Sequence, residues 1–227
     1  MSPRIAVVAP VYGNEATLRP LVQRLAAALE GRDWRLRLVV DASPDGSAAV
    51  AGALAAEDPR IAVTVLGANG GQHAALARGL ADEESADVWV CLDADLQDPP
   101  EAVPLLLDRL MQGDVAAVFA GRRGRYESAA RRLTGGVHRR LAARLTGLPA
   151  DAGAFFGMDR VVRDAVVAAV RDGGAPSVVL AVGGAGRPVA SLPVERDRRP
   201  EGRSAWTART RLRQSLRSLT WALRSGR

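Results

Sequence analysis

"ADVWVCLDADLQDPPE", residues 86–101, sets an apolar run from Val88 to Leu92 directly against Asp93 and Asp95, with Gln97, Asp98, two prolines and Glu101 close behind. A short apolar run closed by turn formers reads as a strand buried on both faces. Helix capping can account for Asp98, with Pro99 and Pro100 in the first turn of the helix that follows. It accounts for neither Asp93 nor Asp95.

The same pattern recurs upstream. "RIAVVAPVY" (4–12), "LRLVVDAS" (36–43) and "IAVTVLG" (61–67) read as strands. Each precedes a helix: one over about 15–30 with Leu18, Leu21, Val22, Leu25 and Leu29 at helical spacing, one within 43–58, and one within 70–83. A helix over 101–111 and a fifth strand, "DVAAVFAG" (114–121), continue the alternation. The expected fold class is therefore α/β, with a mostly parallel central sheet covered on both faces. Ligands of such sheets collect at the carboxyl ends of the strands. Pro10 to Glu15, Asp41 and Asp45, Asn69 to Gly71, and Asp93 to Asp95 all fall on that one edge.

The second half is less regular. An Arg-rich helix is expected over 126–148, a loop at "DAGAFFGMDR" (151–160), a helix over 161–171, strands over 178–182 and 188–194, and an exposed loop at "RDRRPEGRS" (196–204). From about 204 to 225 the period is helical. Leu212, Leu216, Leu219 and Leu223 share one face and arginines fill the remainder, with Trp221 off the leucine stripe. Such a helix suits a membrane interface, or docks on the domain.

Composition bounds the class. The chain has 227 residues, 48% hydrophobic and 4% aromatic, with 31 basic side chains, all of them Arg, and a net charge of +6. The arginine clusters from Arg122 onward favour an anionic partner. They lack the interleaved aromatics that stack nucleic-acid bases, so no nucleic acid is expected. The single Cys91 excludes an internal disulfide and fits a reducing compartment. "MSPRIAVVAP" leaves no room for a signal peptide, and no apolar run approaches the roughly 20 residues of a spanning helix.

Carboxylates one residue apart at a strand tip suit Mg²⁺ or Mn²⁺, hard ions commonly held by one or two carboxylates together with substrate phosphates. Gln97 can supply a third oxygen, or hydrogen-bond a phosphate or an ordering water. Arg122, Arg123, Arg131, Arg132 and Arg199 are suited to phosphate as permanently charged, bidentate donors.

"DADLQDPPE", taken with "VVAPVYGNEATL", "VVDASPDGS", "NGGQHAALARGL" and "RPEGRSAW", resembles the inverting glycosyltransferases of the dolichol-phosphate mannose synthase and undecaprenyl-phosphate sugar transferase type, in order from residue 4 to about 220. The resemblance implies a GT-A fold: a Rossmann-like nucleotide half (about 1–121) and an acceptor half (about 122–203), here followed by the C-terminal helix of 204–227. It implies a nucleotide-sugar donor, a Mg²⁺ or Mn²⁺ ion, and a polyprenyl phosphate acceptor at the cytoplasmic membrane face. Asp93 and Asp95 match the metal and diphosphate positions, with Ala94 between them, and Gln97 a further ligand. Pro10, Tyr12, Glu15, Asp41 and Asp45 match segments that hold base and ribose; Asn69 and Gln72 fall in the third motif. Asp151 matches an acid facing the reaction centre, so that Asp95 and Asp151 are the catalytic candidates, and Ser204 falls in the late acceptor motif. His73 is read as orienting the Asn-Gly-Gly loop.

Several positions depart from that pattern. Ala42 follows Asp41 where a second aspartate is usual, Gly157 follows Phe156 without an Arg, and Gly202–Trp206 lacks a Lys. The trailing transmembrane pair of many relatives has no counterpart. The first leaves fewer carboxylates near the nucleoside; the two lost basic groups and the missing pair bear on the acceptor. A soluble transferase acting on a small hydroxyl acceptor, with Asp151 as base, is the alternative, and a non-catalytic module is a further one. The expected location is cytoplasmic, peripheral at the inner membrane face, and a homo-oligomer is left open.

Overall fold

The computed structural model describes residues 2–123, 147–197 and 221. Seven strands form one sheet in the order β3-β2-β1-β4-β6-β5-β7. They are β1 (Ile5–Val11), β2 (Trp34–Asp41), β3 (Ile61–Leu66), β4 (Val88–Cys91), β5 (Ala117–Arg123), β6 (Phe156–Asp159) and β7 (Val189–Glu195). β3, β2, β1 and β4 run parallel, β6 lies antiparallel between β4 and β5, and β7 pairs parallel with β5. The carboxyl ends of β4, β5 and β7 therefore share the edge at which β1 and β2 also end.

Strand alternation sorts the core into two layers. Ile5, Val7, Ala9 and Val11 face one side, where Leu18, Leu21 and Leu25 of α1 (Leu18–Ala28), Leu54 of α2 (Ser47–Glu57) and Leu106 and Leu107 of α4 (Val103–Leu110) cover them. Ala6 and Val8 face the other, against Leu76 and Leu80 of α3 (Gln72–Asp82), Val162 and Val166 of α5 (Arg160–Arg171) and Val178 and Val182 of α6 (Val178–Gly184). Both faces are buried, so the strands carry apolar residues at nearly every position.

The second half corrects the sequence reading twice. Residues 156–159, expected as loop, form β6, pairing Trp89 with Met158 and Phe119 with Phe156. Four residues containing a glycine carry too little periodicity to announce a strand; the pairing comes from flanking strands distant in sequence. Residues 178–182, expected as a strand, lie in α6, where Val178, Leu180, Ala181 and Val182 are all buried. A short apolar run does not distinguish a central strand from a buried helix. Here the edge beside β5 goes to β7, and the run covers the sheet instead.

Among the described residues no helix is long and apolar enough to cross a membrane. The expected helices over 126–148 and 204–225 lie outside those residues, except at their margins. Of the latter, Trp221 is helical and its indole Nε1 donates to Gly173 O at 3.2 Å, beside α5.

Candidate active site

The loops that leave β1 and β2 are laced together. The Gly13 amide donates to Ser43 Oγ at 2.8 Å and the Asn14 amide to Ser47 Oγ at 3.0 Å. Glu15 exchanges bonds with the next turn: its amide donates to Asp45 Oδ2 at 3.2 Å, and its Oε2 accepts the Gly46 amide at 2.9 Å. Burial alone would raise the Asp45 pKa, but hydrogen bonds from Ser43 and Ser47 outweigh it and hold the carboxyl at about 2. Pro10 is half-buried near the end of β1, and the Tyr12 ring beyond it is exposed.

Asp41, only 2% exposed, ends β2 and accepts the amides of Gly70 and Gly71, both at 2.7 Å, while Asn69 Nδ2 donates to its backbone carbonyl at 3.2 Å. Its carboxylate thus shapes the turn into α3. Gly71 has φ +85°, a conformation that a side chain would strain. The turn delivers Gln72, whose Nε2 donates to Asp93 Oδ1.

The acidic tip folds on itself. The Gln97 amide donates to Asp95 Oδ1 at 3.0 Å, and Leu96 between them adopts φ +61° with its side chain buried in the core. A non-glycine residue in that region costs about 1–2 kcal/mol, and such strain clusters at functional turns. Thr17 Oγ1 donates to Ala94 O at 2.6 Å, tying the tip to the start of α1.

Asp98, expected as a helix cap, has further partners: its carboxylate accepts the Asp93 amide at 3.3 Å and Arg196 Nε at 2.8 Å. Arg196, expected in an exposed loop, is largely covered, and its NH2 lies 3.8 Å from Asp93 Oδ2. The sequence held no signal for it, because the contact spans nearly a hundred residues.

Asp151 lies towards the carboxyl end of β5, on the same edge. Ser191 of β7 donates its hydroxyl to Asp151 Oδ1 at 3.0 Å. Both side chains occupy the space over Gly121 that a Cβ would fill. Arg122 and Arg123 follow Gly121 as the last residues of β5. Arg131, Arg132, Arg199 and Ser204 lie outside the described residues. His73 opens α3 with its Nδ1 buried and without a hydrogen-bond partner, and burial lowers its pKa to about 4.

Direct hydrogen bonds thus join Glu15 after β1 to Asp45 after β2, and join Asp41 and Asp93, at the ends of β2 and β4, to the turn after β3. Among the described residues no group of three or more His, Cys, Asp or Glu could cage a metal by itself. Two half-buried carboxylates with an adjacent amide oxygen still fit Mg²⁺ or Mn²⁺, which usually complete their shell with water and substrate phosphates.

Residues 6–165 match the family described as Glycosyl transferase family 2. Among curated proteins the chain is 34% identical over 207 residues to an undecaprenyl-phosphate 4-deoxy-4-formamido-L-arabinose transferase of Shewanella sediminis, an alignment covering 89% of this chain and 61% of that protein. It is 42% identical over 148 residues to the Pseudomonas aeruginosa protein of the same name, covering 63% of this chain and 43% of the relative. The chain therefore spans under two thirds of the length of these relatives. Among solved structures, glucosyl-3-phosphoglycerate synthase from Mycobacterium tuberculosis, crystallised with Mn²⁺, uridine diphosphate and glucosyl-3-phosphoglycerate, superposes with a TM-score of 0.68 at 19% identity, over 98% of this chain and 80% of that one. The expected GT-A fold is the one found.

Proposed function

Because this chain belongs to glycosyl transferase family 2, we propose that it is a metal-dependent inverting glycosyltransferase carrying a sugar from a UDP-linked donor to a polyprenyl phosphate at the cytoplasmic membrane face. The observation that carries the reading is that, on one sheet edge, Glu15 bonds Asp45, Asp41 holds the turn that leads to Gln72, and Gln72 bonds Asp93. The polyprenyl phosphate follows from the names of the curated relatives.

Each group then has a task. The exposed Tyr12 ring and the Glu15–Asp45 pair bound the nucleoside side, with Pro10, Asp41 and Asn69 shaping its floor. Asp93, Asp95 and Gln97 would hold a Mg²⁺ or Mn²⁺ ion, which neutralises charge on the departing diphosphate. Gln72 fixes Asp93, and the Gln97 amide fixes Asp95. A phosphate acceptor is already an anion at neutral pH and needs no strong base, so the acceptor side must supply positive charge. In our reading Arg122 and Arg123, at the end of β5, do so together with Arg131, Arg132, Arg199 and Ser204. Asp151, held by Ser191, orients the acceptor.

A small hydroxyl acceptor is the second reading. It is favoured by the placement of Asp151, since an alcohol must lose its proton to a base.

Incubation with UDP-sugars, Mn²⁺ and undecaprenyl phosphate in vesicles, followed by mass analysis of the lipid, tests the proposal. A glycosylated lipid phosphate that disappears with EDTA supports it. Transfer to soluble hydroxyl acceptors with no lipid product would overturn the assigned acceptor.

A further inference from the structure

Arg196 lies at the acidic tip, and the proposed chemistry gives it no task. It follows β7 directly, and its side chain is only 19% exposed. Its Nε donates to Asp98, a carboxylate 3% exposed, at 2.8 Å. Its NH2 faces Asp93 Oδ2 at 3.8 Å, close enough for strong attraction and too far for a hydrogen bond. The other oxygen of Asp93 accepts Gln72 Nε2. Each oxygen of this carboxylate thus already faces a donor from the chain. One of them carries a full positive charge.

We infer that Arg196 is a resident cation at Asp93, weakening the binding of a bare divalent ion and making the ion and a nucleoside diphosphate load together. The inference rests on the reading of Asp93 and Asp95 as the cation site. A bare ion at Asp93 meets a guanidinium across a half-buried gap, where charges are poorly screened. A diphosphate changes that balance in two ways. Its oxygens add negative charge to the ion's shell, and they give the guanidinium a better partner than Asp93, because NH2 has no hydrogen bond there to lose. Nε stays on Asp98, so that buried acid remains paired throughout. By linkage, the factor by which diphosphate tightens metal binding equals the factor by which metal tightens diphosphate binding.

The same contact reaches beyond the tip. The Asp197 amide donates to Gln97 O at 3.0 Å, and Arg24 bridges Asp197 and Glu101. The segment leaving β7 is therefore fastened to the turn that carries Asp95 and Gln97, and a shift of Arg196 is felt in both.

Mn²⁺ binding, read from loss of the free-ion EPR signal, tests this on the full chain with and without UDP. In the wild type, UDP should tighten Mn²⁺ about tenfold or more. In Arg196→Met, affinity for Mn²⁺ alone should rise about tenfold and the coupling factor should shrink by a similar ratio. Arg196→Lys, which keeps the charge, should stay near the wild type. Because Arg196→Met takes the guanidinium away from the buried Asp98, the double variant Arg196→Met/Asp98→Asn serves as control and should keep at least a threefold gain, with melting temperatures confirming folding. Loss of that gain in the double variant, or unchanged or weaker Mn²⁺ binding in Arg196→Met, would overturn the role of Arg196 while leaving the cation site intact. If Asp95→Ala binds Mn²⁺ with UDP as the wild type does, the cation-site reading itself has failed.

Discussion

Asp41 Oδ2 accepts the amide of Gly71 at 2.7 Å while its Oδ1 accepts that of Gly70 at the same length, so one carboxylate spans two successive peptide groups. Consecutive amides turned onto one anion form a concave donor pair. Here the anion belongs to the chain, is 2% exposed, and fixes the turn that presents Gln72 to Asp93. A hydrogen bond to a charged acceptor contributes about 1.5–3 kcal/mol. Asp41→Asn turns an amide group towards one of the two donors, and should lower unfolding stability by about 2–3 kcal/mol in urea titration. Donor affinity should fall with it, because Gln72 loses its seat.

Asp95 gives the cleaner test of chemistry. Its described hydrogen bond accepts the Gln97 amide at 3.0 Å, within a turn that Leu96 anchors in the core. Asp95→Ala should cost about a thousandfold in kcat for transfer, in line with loss of a principal electrostatic stabiliser. The melting temperature should change by only a few degrees, since the net contribution of one hydrogen bond is about 1 kcal/mol. A loss of activity matched by unfolding would deny the residue a chemical role.

The amino-terminal half of this fold is legible because its signals are local. Strands with apolar runs end in polar residues, and the parallel-sheet rule gathers those ends without reference to distant partners. Thus β1 to β5 fall where the sequence places them, shifted by a few residues at most. What escapes reading depends on partners far along the chain. β6 is a strand because β4 and β5 flank it, α6 is a helix because β7 holds the edge, and Asp98 meets Arg196 because β4 and β7 end on the same edge of the sheet. An Arg in a run of charges carries no mark that separates a pinned guanidinium from a solvated one.

His73 carries a pH dependence with a definite sign. Its Nδ1 is buried without a partner, and burial lowers its pKa from 6.5 to about 4. A depressed histidine binds fewer protons folded than unfolded, so the folded state loses stability as pH falls from about 6.5 to 4 and gains nothing further above 6.5. The shift corresponds to at most about 3 kcal/mol. Asp45 acts lower: its stabilisation is complete above 3.8 and is lost as pH falls towards about 2. Denaturant titrations of wild type and His73→Gln between pH 7 and 4 should therefore converge as the pH is lowered, relative to their separation at pH 7. Parallel curves would place the imidazole in contact with water.

Asp151 separates the two acceptor chemistries. Ser191 holds its Oδ1 at 3.0 Å, and the pair sits over Gly121, where a methyl group would overlap Asp151 Oδ2 and Ser191 Oγ. A general base contributes about 10²–10⁴-fold to a reaction that must deprotonate an alcohol. A lipid phosphate arrives ionised, so an orienting carboxylate matters through position rather than basicity. Asp151→Asn keeps the shape and should lower kcat with the lipid phosphate by less than about tenfold, with no new acid limb in its pH profile. Gly121→Ala keeps the carboxylate but displaces it, and should raise KM for the acceptor more than it lowers kcat. If Asp151→Asn instead falls a hundredfold or more while Gly121→Ala retains acceptor affinity, Asp151 is removing a proton, and the acceptor is a hydroxyl.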